Sequence, residues 1–110
     1  MDGQIFCTSI VVASELRYGA YRKGSAKLTT QVETVLAGVD ILPLEEPVDH
    51  HYGNIRAELA RIGQPIGHND LFIAAHARAL GLTLVTGNFG EFSRVPGLSV
   101  ENWLENDGEA

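Results

Sequence analysis

The segment from Pro65 to Asn88 constrains this chain more than any other, because helix-start, helix-stop and strand signals follow one another there without a gap. Pro65 and Gly67 keep the approach in a loop. Asn69 is a good N-cap, since its side-chain oxygen can accept from the free backbone N–H groups one turn on. Asp70 then falls in the first turn, where the helix dipole favours a negative charge. Ala74, Ala75, Ala77 and Ala79 build a strong helix that permits close packing, and Gly81 is the expected stop. Residues 82–85 are a short apolar run suited to a buried parallel strand. Thr86-Gly87-Asn88 lies at that strand's C-terminal end, where open α/β sheets place their ligands. A helix start and a strand end can therefore each present a polar group to one crevice. The plainer reading is a dipole-stabilising charge and a turn asparagine.

The flanking segments carry the same alternation. Residues 5–8 read as a short buried strand, and Ser9 caps a helix over 10–21 with Glu15 in its second turn. Val11, Val12 and Leu16 are available there for the core. Ser25 caps a second helix over 26–37, where Leu28, Val32, Val35 and Leu36 recur at helical spacing. Residues 39–44 read as a strand, with Pro43 marking an end or an edge. Pro47 suits the first position of a third helix. Its expected buried stripe is Val48, Tyr52, Ile55, Leu59 and Ile62, with Arg56, Glu58 and Arg61 on the wet side. After the fourth helix, Phe89 and Phe92 anchor a helical turn. Residues 98–100 form a last strand with Trp103 packing nearby. Four strands alternating with helices imply an α/β sandwich with a parallel sheet. The expected organisation is one domain over residues 1–104, followed by an acidic polar tail over 105–110.

Composition narrows the function classes. With 110 residues, 45% of them apolar, the chain has material for a single core. No apolar run approaches the ~20 residues that span a bilayer, and the first residues lack a basic signal-peptide region. The expected location is the cytoplasm, with no membrane partner. Cys7 is the only cysteine, which excludes an internal disulfide, and it is expected to be an inert packing residue. The net charge of −6 argues against broad electrostatic capture of nucleic acid. It leaves room for an enzyme that meets RNA through metal ions and a local basic patch, for which Arg17, Arg22, Lys23 and Lys27 are the candidates.

Glu15, Asp70 and Asn88 come from three separate elements, each beside an apolar segment. Oxygen donors of this kind suit a hard cation: Mg²⁺ takes one or two carboxylates together with waters and substrate phosphate. A pair of such ions can clamp an in-line attack at phosphorus. The plain reading is three solvated polar groups. The histidines offer a rival, but His50 and His51 are adjacent, and His68 and His76 lack the spacing of a zinc site. His76, amid alanines, is expected to be a half-buried packing residue with one hydrogen bond. Gly87-Asn88-Phe89-Gly90 follows a strand but lacks the lysine of a phosphate loop, and no Ser or Cys nucleophile has a visible base.

Four blocks together resemble the PIN domain, and within it the VapC-type toxins of bacterial toxin–antitoxin pairs. They are Thr8 to Gly19 (TSIVVASELRYG), Ile55 to Ala60 with Gly63 and Pro65, Gly67 to Ala77 (GHNDLFIAAHA), and Leu84 to Phe92 (LVTGNFGEF). The resemblance implies a PIN-like three-layer sandwich with a short parallel sheet. It implies that Glu15 and Asp70 are two of the family's metal-site acids. Asn88 matches a position that the family fills with Asp or Asn. The three would be both catalytic and metal-binding. The implied activity is endonucleolytic cleavage of structured RNA such as tRNA, with Mg²⁺ or Mn²⁺. The implied partners are a VapB-type antitoxin and a second copy of the chain.

One departure stands against this. Family members begin with a strand ending in an Asp-Thr-Asn-like motif, and nothing in this sequence matches it. Asp2 precedes a strand that matches the family's second, so it is no substitute. The expectation is a PIN domain whose first, central strand and first catalytic aspartate are missing, with activity impaired. The alternative is a non-catalytic PIN remnant serving as an antitoxin-binding or dimerisation module. A phosphoacceptor receiver domain would want an acidic pair after its first strand and a late lysine, and the chain has neither.

Overall fold

The computed structural model describes residues 6–102, which divide between Leu44 and Glu45 into two compact units. Ile5, Trp103 and the acidic tail lie outside the described residues.

In the first unit, β1 (Cys7–Ser9) leads directly into α1 (Ile10–Lys23). Ser9 makes that turn: its hydroxyl accepts from the Val11 N–H at 3.1 Å, satisfying one of the helix's orphan donors. α1 runs two residues past its expected end and stops at Gly24, whose φ of 65° is the left-handed cap that only glycine adopts cheaply. Ser25 then caps α2 (Ala26–Ala37), accepting from the Leu28 N–H at 3.1 Å. β2 (Asp40–Leu42) lies parallel to β1, with Cys7 opposite Asp40 and Ser9 opposite Leu42. The strand ends before Pro43, which has no N–H to give a neighbour.

The core of this unit is Ala13, Ala20, Val32 and Leu36, with Leu28, Val39 and Ile41 packed against it. Two alanines let α1 and α2 approach closely. Leu16 and Val35, expected in the core, are instead 41% and 61% exposed. At ~100° per residue, Leu16 sits about 50° off the face centred on Ala13 and Ala20. Cys7 is also exposed, so its expected packing role is not what the structure shows.

In the second unit, α3 (Val48–Arg61) packs along α4 (His68–Leu80). Val48, Ile55 and Leu59 of α3 and Leu71, Ile73, Ala74 and Ala75 of α4 are buried. Pro47 stands at the N-cap of α3 rather than inside its first turn. Ile62, expected in the buried stripe, is the C-cap and lies outside it. α4 starts earlier than expected. Its N-cap is Gly67, whose carbonyl accepts from the Leu71 N–H at 2.9 Å. Asn69 therefore lies within the first turn and does not cap it, while Asp70 keeps its expected first-turn place. His76 is almost fully enclosed rather than half-buried.

β3 (Leu84–Val85), α5 (Phe89–Phe92) and β4 (Val100–Glu101) complete the unit. β3 and β4 are parallel, with Leu84 opposite Val100. Phe92 and Val95 are buried, while Phe89 is largely exposed and does not share the anchoring. Leu82 and Val85 are 40% and 43% exposed, so β3 is not the buried strand its composition suggests. The cause is its pairing: among the described residues β3 is bonded to β4 alone. The four strands thus form two parallel pairs, β1–β2 and β3–β4, where one sheet was expected. No described strand pairs with both, which is the place the resemblance gives to its central strand. The result is a mixed α/β fold dominated by helices.

Candidate active site

Asp70 is the third residue of α4 and is half-buried. The approach to it is set by local chemistry. Gly63 turns the chain with φ 73°, and the Gln64 N–H returns to the Leu59 carbonyl at 2.9 Å. Gly67, extended at ψ 158°, then launches the helix. This places the carboxylate at the positive end of a helix dipole, which favours its ionised form.

Asn88 follows β3. The Thr86 N–H continues the ladder to the Glu101 carbonyl at 3.0 Å. The Thr86 hydroxyl then accepts from the Asn88 N–H at 3.0 Å, and the Asn88 carbonyl accepts from the Phe92 N–H at 3.2 Å. Thr86 thus closes the strand and Phe92 fastens the helical turn after it, leaving the exposed Asn88 side chain between them. One turn further on, Glu91 holds one carboxylate oxygen enclosed and without a hydrogen-bond partner. An enclosed acceptor of that kind is costly unless something pairs with it. The sequence gives no sign of it, because an acid on a short helical turn reads as a solvated charge.

Glu15 is exposed on the second turn of α1 and belongs to the first unit, whereas Asp70, Asn88 and Glu91 belong to the second. In the second unit the oxygen donors are the Asp70 carboxylate, the Asn88 carboxamide and the orphaned oxygen of Glu91. All are oxygens, the set that a hard cation takes. Among the described residues no three His, Cys, Asp or Glu side chains gather into a ready ligand group.

Several of the charged residues in each unit are paired. Arg17, a member of the expected basic cluster, grips Glu33 with two parallel bonds of 2.9 and 3.0 Å. Its hydrogen bonds hold the Glu33 carboxyl below the usual carboxylate range. Arg22, Lys23 and Lys27 remain as an exposed basic surface near the α1–α2 corner. Arg61 pairs with Glu58 on α3 and lowers that carboxyl in the same way. The histidines are dispersed: His51 accepts from Arg78 at 2.8 Å and His68 meets the Tyr52 hydroxyl at 3.2 Å. Sequence reasoning misses Arg78, Tyr52 and Phe72 as polar or stacking partners. The only signal for them is the i,i+4 spacing of Tyr52 and Arg56.

Comparison with known proteins adds the following. A model of the PIN domain matches residues 2–98. The chain is 43% identical over 99 residues to ribonuclease VapC2 of Haemophilus influenzae (strain ATCC 51907 / DSM 11121 / KW20 / Rd), covering 89% of this chain and 75% of that protein. It is 44% identical over 98 residues to the tRNA(fMet)-specific endonuclease VapC of Shigella flexneri, covering 88% and 74%. Among solved structures it is similar to VapBC2 from Rickettsia felis bound to a DNA fragment from their promoter. That match has a TM-score of 0.85 and 36% identity, covering 92% of this chain and 77% of that one.

Proposed function

The chain belongs to the PIN-domain family, among its VapC-type ribonucleases, and on that premise we propose that Glu15, Asp70 and Asn88 are its metal-binding and catalytic residues. The observation that carries this is the placement of Asp70, half-buried in the first turn of α4 within a segment that reads as the family's. Asn88, at the end of β3, adds a neutral oxygen on a backbone held by Thr86. Glu91 adds an enclosed carboxylate oxygen that a cation would satisfy.

The proposed cation is Mg²⁺ or Mn²⁺, which when bound supplies an activated water and offsets charge at phosphorus. The residues' own part is to hold oxygens at fixed positions. The start of α4 favours a negative charge at Asp70, and the Thr86 bond holds the Asn88 backbone. The proposed substrate is structured RNA such as tRNA, supported by the named specificity of the Shigella relative. Arg22, Lys23 and Lys27 would meet its phosphates.

The proposed partner is a VapB-type antitoxin, supported by structural neighbours that are VapBC complexes. A homodimer is part of the same reading. Tyr18, Tyr21 and Val35, each more than 60% exposed, give the first unit an apolar surface for such contacts. Among the described residues no helix is long and apolar enough to cross a membrane, and a cytoplasmic location is proposed with the rest.

The test is a gel assay of the chain on a tRNA pool. Cleavage with Mg²⁺ is expected to be weak, as for a site one carboxylate short, and the products that form should vanish with EDTA and with Asp70→Ala. Cutting that survives both changes removes the metal-site assignment.

A further inference from the structure

α3 and the start of α4 enclose a pocket of about 250 Å³ that the proposed metal site does not use. Its floor is Leu59 and Leu71, both buried, and its walls are Pro65 and Ile66. At the mouth stand two exposed polar residues, Arg56 and His68. The volume falls below the ~300 Å³ at which pockets for drug-sized ligands begin. It suits one planar ring system.

The mouth is organised by Tyr52. Its ring is stacked on Phe72 at 4.4 Å between centroids, with 27° between the planes. Its hydroxyl accepts from Arg56 Nη1 at 3.0 Å and meets His68 Nδ1 at 3.2 Å. A tyrosine hydroxyl has one proton. With Arg56 donating to the oxygen, the direction of the Tyr52–His68 bond follows the His68 tautomer. Arg56 spends one donor on Tyr52 and keeps the others. The pocket mouth therefore offers the donors of a guanidinium, beside an imidazole, above an apolar floor.

We propose that this pocket is a base-recognition subsite for single-stranded RNA, and that it takes a splayed-out base with an acceptor edge, guanine above the others. An apolar floor accepts the ring, and a guanidinium reads guanine's two adjacent acceptors, O6 and N7, with two parallel bonds. A purely apolar side chain from a protein partner would leave the Arg56 donors at the mouth without an acceptor. His68 begins α4 two residues before Asp70, so a base held there belongs to the nucleotide chain that reaches Asp70. The subsite rests on the nuclease reading for its substrate class only.

The test separates the two. The full chain in EDTA is titrated with GMP, AMP, CMP and UMP while the methyl signals of Ala60, Ile66 and Leu71 are followed by NMR. GMP should shift these signals at the lowest concentration. Arg56→Gln should weaken GMP by about tenfold, the order of a lost bidentate contact, and Ala60→Leu should block every nucleotide by filling the pocket. Arg56→Lys should recover only part of the affinity, because an ammonium cannot bond in two parallel lines. Circular dichroism of each variant reports folding, and the unsubstituted chain's own ranking of the four nucleotides needs no variant. No shift with any nucleotide, equal shifts with all four, or shifts only with N-acetyl-tryptophanamide as an apolar peptide probe each overturn the subsite. Because binding is read in EDTA, these outcomes leave the Mg²⁺-dependent cleavage assay as an independent test of Asp70.

Discussion

Arg78 Nε donates to His51 Nδ1 at 2.8 Å, joining the last turn of α4 to the first turn of α3. The same guanidinium reaches the Asn54 side chain at 2.8 Å and the Pro96 carbonyl at 2.9 Å. One planar cation therefore ties two helices to the loop that precedes β4. Gly97, with φ 76°, sits so close that a Cβ there would lie 3.4 Å from the Arg78 side chain. The bond to His51 requires a ring whose proton is on Nε2. Arg78→Ala is expected to lower stability by about 2 kcal/mol, the order for lost hydrogen bonds to a charged group. Arg78→Lys should recover little of that. Urea unfolding of the three proteins measures both differences, and a Lys variant as stable as the parent removes the fork from the explanation.

The Arg17–Glu33 pair couples stability to acid. Glu33 titrates below an ordinary carboxylate because Arg17 holds its ionised form. A carboxylate depressed in the folded state contributes stability above its unfolded pKa and loses it as pH falls through the folded value. Both side chains are more than a third exposed, so the contribution is small and screened by salt. Glu33→Gln should flatten the acid limb of the urea midpoint plotted against pH and leave neutral stability nearly unchanged. Equal acid limbs in the two proteins would contradict the pairing.

Ile55 is fully enclosed between α3 and α4. Truncation to alanine should cost about 3 kcal/mol, combining lost transfer free energy with the cavity left behind. Ser9→Ala, which removes the cap of α1, should cost nearer 1 kcal/mol. Denaturant midpoints report both, and an Ile55 variant that loses less than the cap variant would show that the α3–α4 face repacks.

Glu91→Gln tests whether the orphaned oxygen serves a cation. Removing the charge should weaken Mn²⁺ binding by about 10- to 100-fold, the range for groups that support a metal site. Asn88→Ala should lower cleavage by about 10²-fold, as for the loss of one fixed electrostatic group. Calorimetry reads the first and the tRNA gel assay reads the second. Unchanged Mn²⁺ affinity in Glu91→Gln would return that residue to a structural role.

Local signals decided most of the helices. Ser9 and Ser25 each capped the helix they announced, Gly24 and Gly81 ended theirs, and Asp70 fell in a first turn. These outcomes depend on hydrogen bonds within a few residues, so neighbouring letters carry them. The family was legible for a related reason: its blocks combine such local signals at fixed separations. Tertiary structure decided what local letters cannot. Leu16, Val35 and Leu82 are as apolar as Ile55 and Leu59, yet only the last two are buried, because burial depends on which face a neighbouring element covers. Gly67 took the cap from Asn69 because the chain entered α4 extended one residue before His68. Four strand-like runs became two separate pairs, since pairing depends on partners distant in sequence. The joining of Arg78 to His51, 27 residues apart, and of Tyr52 to His68, 16 apart, follows from the packing of α3 on α4. No periodicity in the sequence records which polar atoms that packing brings together.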